Sequence, residues 1–142
     1  MNGEPVITLT AERDPLAEDI LMAGLEAYNK EKIGHVDRQA LDVLVRDGNG
    51  EIVGGIVGHT SLRLFFLDLF YLPKEMRGGG LGSQLIAQAE AEARKRGCTA
   101  AFVMTVTFQA PEFYERHGYR RFGEIACPPD GATRIFLSKS LT

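Results

Sequence analysis

The chain lacks most of what would mark a membrane, secreted, metal-binding or nucleic-acid-binding protein. No apolar stretch approaches the roughly 18 residues of a bilayer span, and the N-terminus has no basic-then-apolar secretion signal. The missing signal makes the cytoplasm the expected location. Cysteine is scarce: Cys98 and Cys127 are the only two, without C-x-x-C spacing, and read as reduced, buried or half-buried thiols. His35, His59 and His117 are too scattered to suggest zinc, so no metal is expected. A formal charge of −3 gives no electrostatic case for nucleic acid as a partner. Two familiar phosphate loops are also missing. No Gly-Lys-Ser/Thr completes a P-loop, and the glycines at 78, 79, 80 and 82 fit only fragments of the dinucleotide fingerprint.

What remains is an ordinary globular composition, 44% apolar and 25% charged over 142 residues. A single domain is expected over residues 1–142, large enough to bury roughly two-thirds of its unfolded surface. Residues 6–10 alternate weakly and predict a first strand. Asp14-Pro15 predicts a helix start, with apolar positions recurring to Ala27 and the pattern fading near Tyr28-Asn29. Two runs around Asp47-Gly48-Asn49-Gly50 predict a hairpin, and Gly54-Gly55 a bulge or close backbone approach. Residues 62–72 are too apolar for an exposed strand and are expected to lie centrally. Residues 81–96 carry an apolar helical stripe, with Glu90–Arg94 and Glu92–Arg96 placed to pair at i,i+4 before Gly97 stops the helix. A strand at 100–105, a short helix at 111–117 and strands at 120–126 and 133–138 complete an α/β or α+β order, β-α-(loop or α)-β-β-β-α-β-α-β-β.

The most informative segment is Arg77-Gly78-Gly79-Gly80-Leu81-Gly82-Ser83, set between the apolar run and the helix. Glycines let the main chain turn tightly and approach an anion. Unpaired N–H groups and the dipole at a helix start favour negative charge. The pattern that fits is [QR]-x-x-G-x-[GA], read on Arg77, Gly80 and Gly82.

Pro73-Lys74-Glu75-Met76-Arg77-Gly78-Gly79-Gly80-Leu81-Gly82 resembles the P-x-x-R-G-x-G-x-G segment of the GCN5-related N-acetyltransferases, the GNAT superfamily. Ala110-Pro111-Glu112-Phe113-Tyr114-Glu115-Arg116-His117-Gly118-Tyr119 resembles that family's A-x-x-F-Y-E-x-x-G-[FY] segment. Order and separation agree, and the resemblance runs from about residue 6 to 137, in outline only before 40. It implies a mixed, mostly antiparallel sheet whose central parallel strands splay apart, with helices on both faces, and a homodimer joined through its last strands.

The resemblance also implies acetyl-CoA as cofactor, with coenzyme A as product. Its pyrophosphate would lie on Arg77, Gly78, Gly79, Gly80, Leu81, Gly82 and Ser83, where Arg77 is either a phosphate partner or a solvated surface arginine. Its pantetheine arm would run along the backbone at Phe70 and Leu72 as an added strand would. Many family members carry an asparagine seven residues before the motif tyrosine; here that position is Thr107, with Gln109 in reach as a substitute.

Acetyl transfer needs a neutral amine, stabilisation of a tetrahedral oxyanion and a proton for the leaving thiolate. Tyr114 matches the family's general acid, and a tyrosine with a pKa near 10 is neutral at pH 7 yet able to protonate a thiolate. Otherwise it is a packed aromatic, as Phe113 and Tyr119 are expected to be. Asp68 interrupts an apolar strand and is the candidate base, buried carboxylates being rare without a partner or purpose. Its alternative is a structural hydrogen-bonded carboxylate, and His59 is the competing base. The expected reaction is acetylation of a small-molecule primary amine. Acetylation of a protein lysine or N-terminus, and a non-catalytic acyl-CoA-binding module, are the alternatives; a deep closed pocket would favour a small-molecule acceptor and an open groove a peptide. Acceptor specificity is expected from residues 26–39 and 123–133.

Overall fold

In the computed structural model, which describes residues 3–142, the chain divides into two compact units, Met1–Val36 and Asp37–Thr142.

The first unit holds one helix, α1 (Ala17–Ile33). The Asp14 carboxylate accepts the Leu16 N–H at 2.8 Å, an acidic acceptor at the helix start as the sequence suggests. The helix outlasts its apolar pattern: Lys and Glu are good formers, and it ends only at Gly34, which has φ 85° and donates its N–H to the Lys30 carbonyl. No residue of α1 is buried. The expected strand at 6–10 does not form. A strand needs a ladder partner, and α1 is the only element of that unit among the described residues.

The second unit is a six-stranded mixed sheet with two α-helices. β1 (Gln39–Arg46), β2 (Ile52–Ser61) and β3 (Leu64–Tyr71) form an antiparallel meander. A single 3₁₀ turn (Lys74–Met76) leads to α2 (Leu81–Lys95), then β4 (Ala100–Val106), α3 (Pro111–Arg116), β5 (Arg120–Cys127) and β6 (Ala132–Ser140). The sheet order is β1-β2-β3-β4-β6-β5, with only β3 and β4 parallel. The central strand starts two residues later than its apolar run, because Leu62 and Arg63 form a tight turn with φ of 48° and 68°. Neither is a residue that announces left-handed backbone.

One sheet face and the apolar stripe of α2 make the core, in which Phe65, Ile56, Ile135, Leu137 and Ala89 are fully buried. Burying Leu85 and Ile86 contributes roughly 1.5–3 kcal/mol each. Arg96 bonds Glu92 at 2.8 Å as the spacing predicts. Glu90 does not pair with Arg94: it is buried against Tyr119 and Lys139, while Arg94 donates to the Leu141 carbonyl. Gly55, with φ 136°, lies where a Cβ would stand 2.3 Å from the Val43 carbonyl oxygen. Gly55→Ala is therefore expected to destabilise the fold by at least about 2 kcal/mol, read as a lower urea midpoint; an unchanged midpoint would show that β1 and β2 separate freely.

Two features of β3 position the site. It pairs with β4 only from Leu64 to Leu67, after which β4 stays with β6 and the two strands part. Its register against β2 jumps from Gly58↔Leu67 to Val57↔Leu69, so Asp68 is the extra residue of a bulge.

Candidate active site

The turn that follows β3 presents bare main chain. Gly78 and Gly80 have φ of 83° and 87°, conformations that favour glycine. Gly80 caps α2 with no side-chain hydrogen bond, and the first turn of the helix carries no acid. The leading N–H groups of α2 are thus free to meet an anion. Gly82 serves closeness instead: a Cβ there would lie 3.3 Å from the Phe113 ring of α3.

These residues open on a cleft of about 420 Å³ lined by Gly78, Gly80, Gly82 and Ser83 with Arg77, Arg116 and His117. Two guanidinium groups beside an uncapped helix start make a site for phosphate. Gly79 and Leu81 are not in its wall, Leu81 packing on the core instead. The Arg77 Nε donates to the Leu72 carbonyl at 2.8 Å, and its guanidinium stands 5.9 Å over the Tyr71 ring. The Ser83 hydroxyl is 2.8 Å from Nε2 of His117.

A second cleft, of about 600 Å³, follows the gap between β3 and β4. Phe70, Leu72, Arg77, Ala110 and Tyr114 line both clefts, so the phosphate turn and the splayed edge form one continuous surface. Beyond Leu67 the β4 side of β3 has no ladder partner, which leaves a strand edge for an extended ligand arm.

Tyr114 stands at the junction. It is 8% exposed, with ring contacts to Phe70, Phe113 and Tyr119. Among the described residues its hydroxyl has no protein partner, yet no buried side-chain oxygen is left unsatisfied, so that oxygen is open to the cleft. Burial pushes its pKa up to about 12, above the value near 10 expected of an ordinary tyrosine.

Asp68 lines the second cleft but is not buried: its side chain is 46% exposed. The correction has a structural cause, since the strand is central only up to Leu67 and the bulge then turns Asp68 toward the opening. Its Oδ2 lies 2.7 Å from Nδ1 of His59, whose ring stacks on Phe66 at 4.4 Å. The two candidate bases are partners rather than competitors. The tight turn at 62–63, which the sequence does not announce, sets His59 opposite Phe66, two residues from Asp68.

Thr107 is not brought to either cleft. Its N–H and hydroxyl oxygen bond Thr133 on β6. Gln109 lines the second cleft instead, its Oε1 accepting from the Thr105 hydroxyl and the Val106 N–H. Arg134 also lines it, with the Met104 sulfur at 4.0 Å and no acidic partner among the described residues. Arg116, His117 and Arg134 were missed as site residues; the first two sit inside the Phe-Tyr motif, whereas nothing local marks Arg134. Among the described residues no three His, Cys, Asp or Glu side chains group as metal ligands, and no helix is long and apolar enough to cross a membrane.

An uncapped glycine-rich helix start joined to a splayed sheet edge, with a buried tyrosine at the junction, is an arrangement suited to an extended ligand that carries phosphate. The family model for the acetyltransferase (GNAT) domain matches residues 39–121. Acetyltransferase Atu2258 of Agrobacterium fabrum is 36% identical over 126 residues, spanning 89% of this chain and 92% of that protein. Blasticidin-S acetyltransferase of Streptomyces morookaense is 47% identical over 93 residues, 65% of this chain and 68% of the relative. A crystal structure from Agrobacterium tumefaciens superposes with a TM-score of 0.86 at 34% identity, covering 96% of this chain and 99% of that one. The chain belongs to the GNAT family and is an N-acetyltransferase.

Proposed function

We propose that the protein, acting as one domain, transfers an acetyl group from acetyl-CoA to a primary amine of a small molecule. The observation that carries this is the meeting of the two clefts at Phe70, Leu72 and Tyr114. The uncapped helix start and Ser83 fit the pyrophosphate, and the edge of β3 fits the pantetheine arm. The bound thioester supplies the activated acetyl group. Tyr114 is the residue placed to donate a hydrogen bond to the thioester's leaving group, and Asp68, held by His59, would take the proton that the acceptor ammonium must lose. The relative named for blasticidin-S supports a small-molecule acceptor. Arg134, free of an acidic partner, favours amines that also carry an anionic group over polycations.

The test is calorimetric titration with acetyl-CoA, followed by thiol release over a panel of amines with and without an anionic group. Binding with turnover on one small amine supports the reading. Binding with turnover only on peptides replaces the acceptor, and no binding removes the phosphate site.

Asp68→Asn is expected to lower kcat/KM roughly 10- to 100-fold and to move the acidic limb of the pH–rate profile. His59→Gln should give a smaller loss in the same direction. The double variant should be no worse than Asp68→Asn alone, because the two residues act as one unit. An acidic limb that stays in place in Asp68→Asn rules the carboxylate out as base.

A further inference from the structure

We propose that His117 positions the cofactor's pyrophosphate through Ser83, taking up a proton as the phosphates bind; this rests on the assignment of the glycine turn as the phosphate site. His117 Nδ1 is 2.8 Å from the Phe113 carbonyl oxygen and Nε2 is 2.8 Å from the Ser83 hydroxyl oxygen. A carbonyl only accepts, so Nδ1 carries a proton in either charge state. When the ring is neutral, Nε2 must accept, and the Ser83 hydroxyl spends its one proton on the histidine. It then has only lone pairs to offer a phosphate oxygen, which is repulsive. When the ring is charged, Nε2 donates to the Ser83 oxygen and the hydroxyl proton is released to the phosphate. One proton, taken from solvent onto Nε2, thus turns Ser83 from an acceptor into a donor at the anion.

The surrounding charges favour this coupling. Arg77 and Arg116 line the same cleft. Arg77 is turned to the Leu72 carbonyl. Glu115 is engaged with Arg121 and Glu90 with Lys139 and Tyr119, while Glu112 stands at the opposite end of α3 from His117. Lys139, whose stem passes Gly118, is held by Glu90. No carboxylate among these balances a charged His117; a pyrophosphate does.

The probe is dephospho-coenzyme A, which keeps the pyrophosphate but lacks the 3′-phosphate that itself titrates near neutrality. Its Kd for the wild type is expected to rise about tenfold from pH 6 to pH 8, with net proton uptake read by calorimetry in two buffers of different ionisation heat. Ser83→Ala should bind at both pH values with the weaker affinity of the wild type at pH 8, and should take up no proton. His117→Phe keeps a ring on Phe113 without the nitrogens, and should likewise be flat with pH. A packing role alone would weaken binding equally at both pH values and leave the slope intact. A flat wild type, or a slope surviving in either variant, overturns the proposal while the phosphate site stands. No binding by the wild type at either pH overturns both.

Discussion

Tyr114→Phe is expected to lower kcat about a hundredfold while leaving the affinity for acetyl-CoA within about twofold. The hydroxyl faces the junction of the two clefts and has no protein partner among the described residues, so its removal strands no buried group. The ring, packed on Phe70, Phe113 and Tyr119, is retained by phenylalanine. General acids contribute about 10²- to 10⁴-fold, and the acidity of this tyrosine selects the low end. Its pKa of about 12 lies above the roughly 8.5 of a free thiol, so complete transfer to a thiolate is uphill by on the order of 5 kcal/mol. In the proposed role Tyr114 would therefore act mainly by a hydrogen bond to the leaving sulfur rather than by complete proton transfer. The sign of the pH dependence follows. With a folded value raised above the ordinary 10, the hydroxyl stays protonated across the assay range and gives no alkaline limb below about pH 11. The variant should then scale the wild-type pH–rate profile down without moving its limbs. Unchanged kcat would take Tyr114 out of the mechanism, and a lost limb near pH 9 would mean that its acidity in the complex is far greater.

The parts of this protein legible in its sequence are those whose information is local. The glycine turn announces itself because three consecutive glycines before an apolar helix have few other uses, and Phe113-Tyr114 sits in a segment whose spacing matches a family. What escapes is set by distance or by backbone geometry. The turn at Leu62-Arg63 carries positive φ on residues that rarely adopt it, so the central strand looks longer than it is. Asp68 looks buried because an apolar run does not say where two parallel strands stop pairing. The bond from Ser83 to His117 crosses 34 positions and exists only because Gly82 lets α3 approach α2. The weak alternation at 6–10 shows the converse error, a strand pattern without a strand to pair with.

Glu90 is the residue whose local reading fails most instructively, and its replacement is expected to be strongly destabilising. A helix pattern assigns it to Arg94 on an outer face, yet it is 4% exposed. Its Oε2 accepts from the Tyr119 hydroxyl at 2.8 Å and its Oε1 from the Lys139 ammonium at 2.7 Å. The triad ties α2 to β6 and to Tyr119, the residue just before β5, whose ring packs on Tyr114. Glu90→Ala would leave a half-buried ammonium and a buried phenol unpaired, a loss of roughly 3 kcal/mol, or a fall in Tm of about 6–12 °C for a chain of this size. Replacing both charges, as in Glu90→Met with Lys139→Met, should recover more than half of that, because the main penalty is the orphaned partner and not the missing attraction. The triad also sets an alkaline limit. Burial first, and then the Glu90 charge, push the Tyr119 hydroxyl above its ordinary value. A proton held more tightly in the folded state stabilises it fully below about pH 10 and less as pH rises beyond. Wild-type Tm should fall through that range, and less steeply with the double methionine variant, where one of the two causes is gone. Equal slopes would assign the whole effect to burial. Since none of the three residues lines either cleft, kcat measured well below Tm should hold within a few-fold in every variant. A collapse of activity in a folded variant would mean that the triad sets the position of Tyr114, through its contact with the Tyr119 ring.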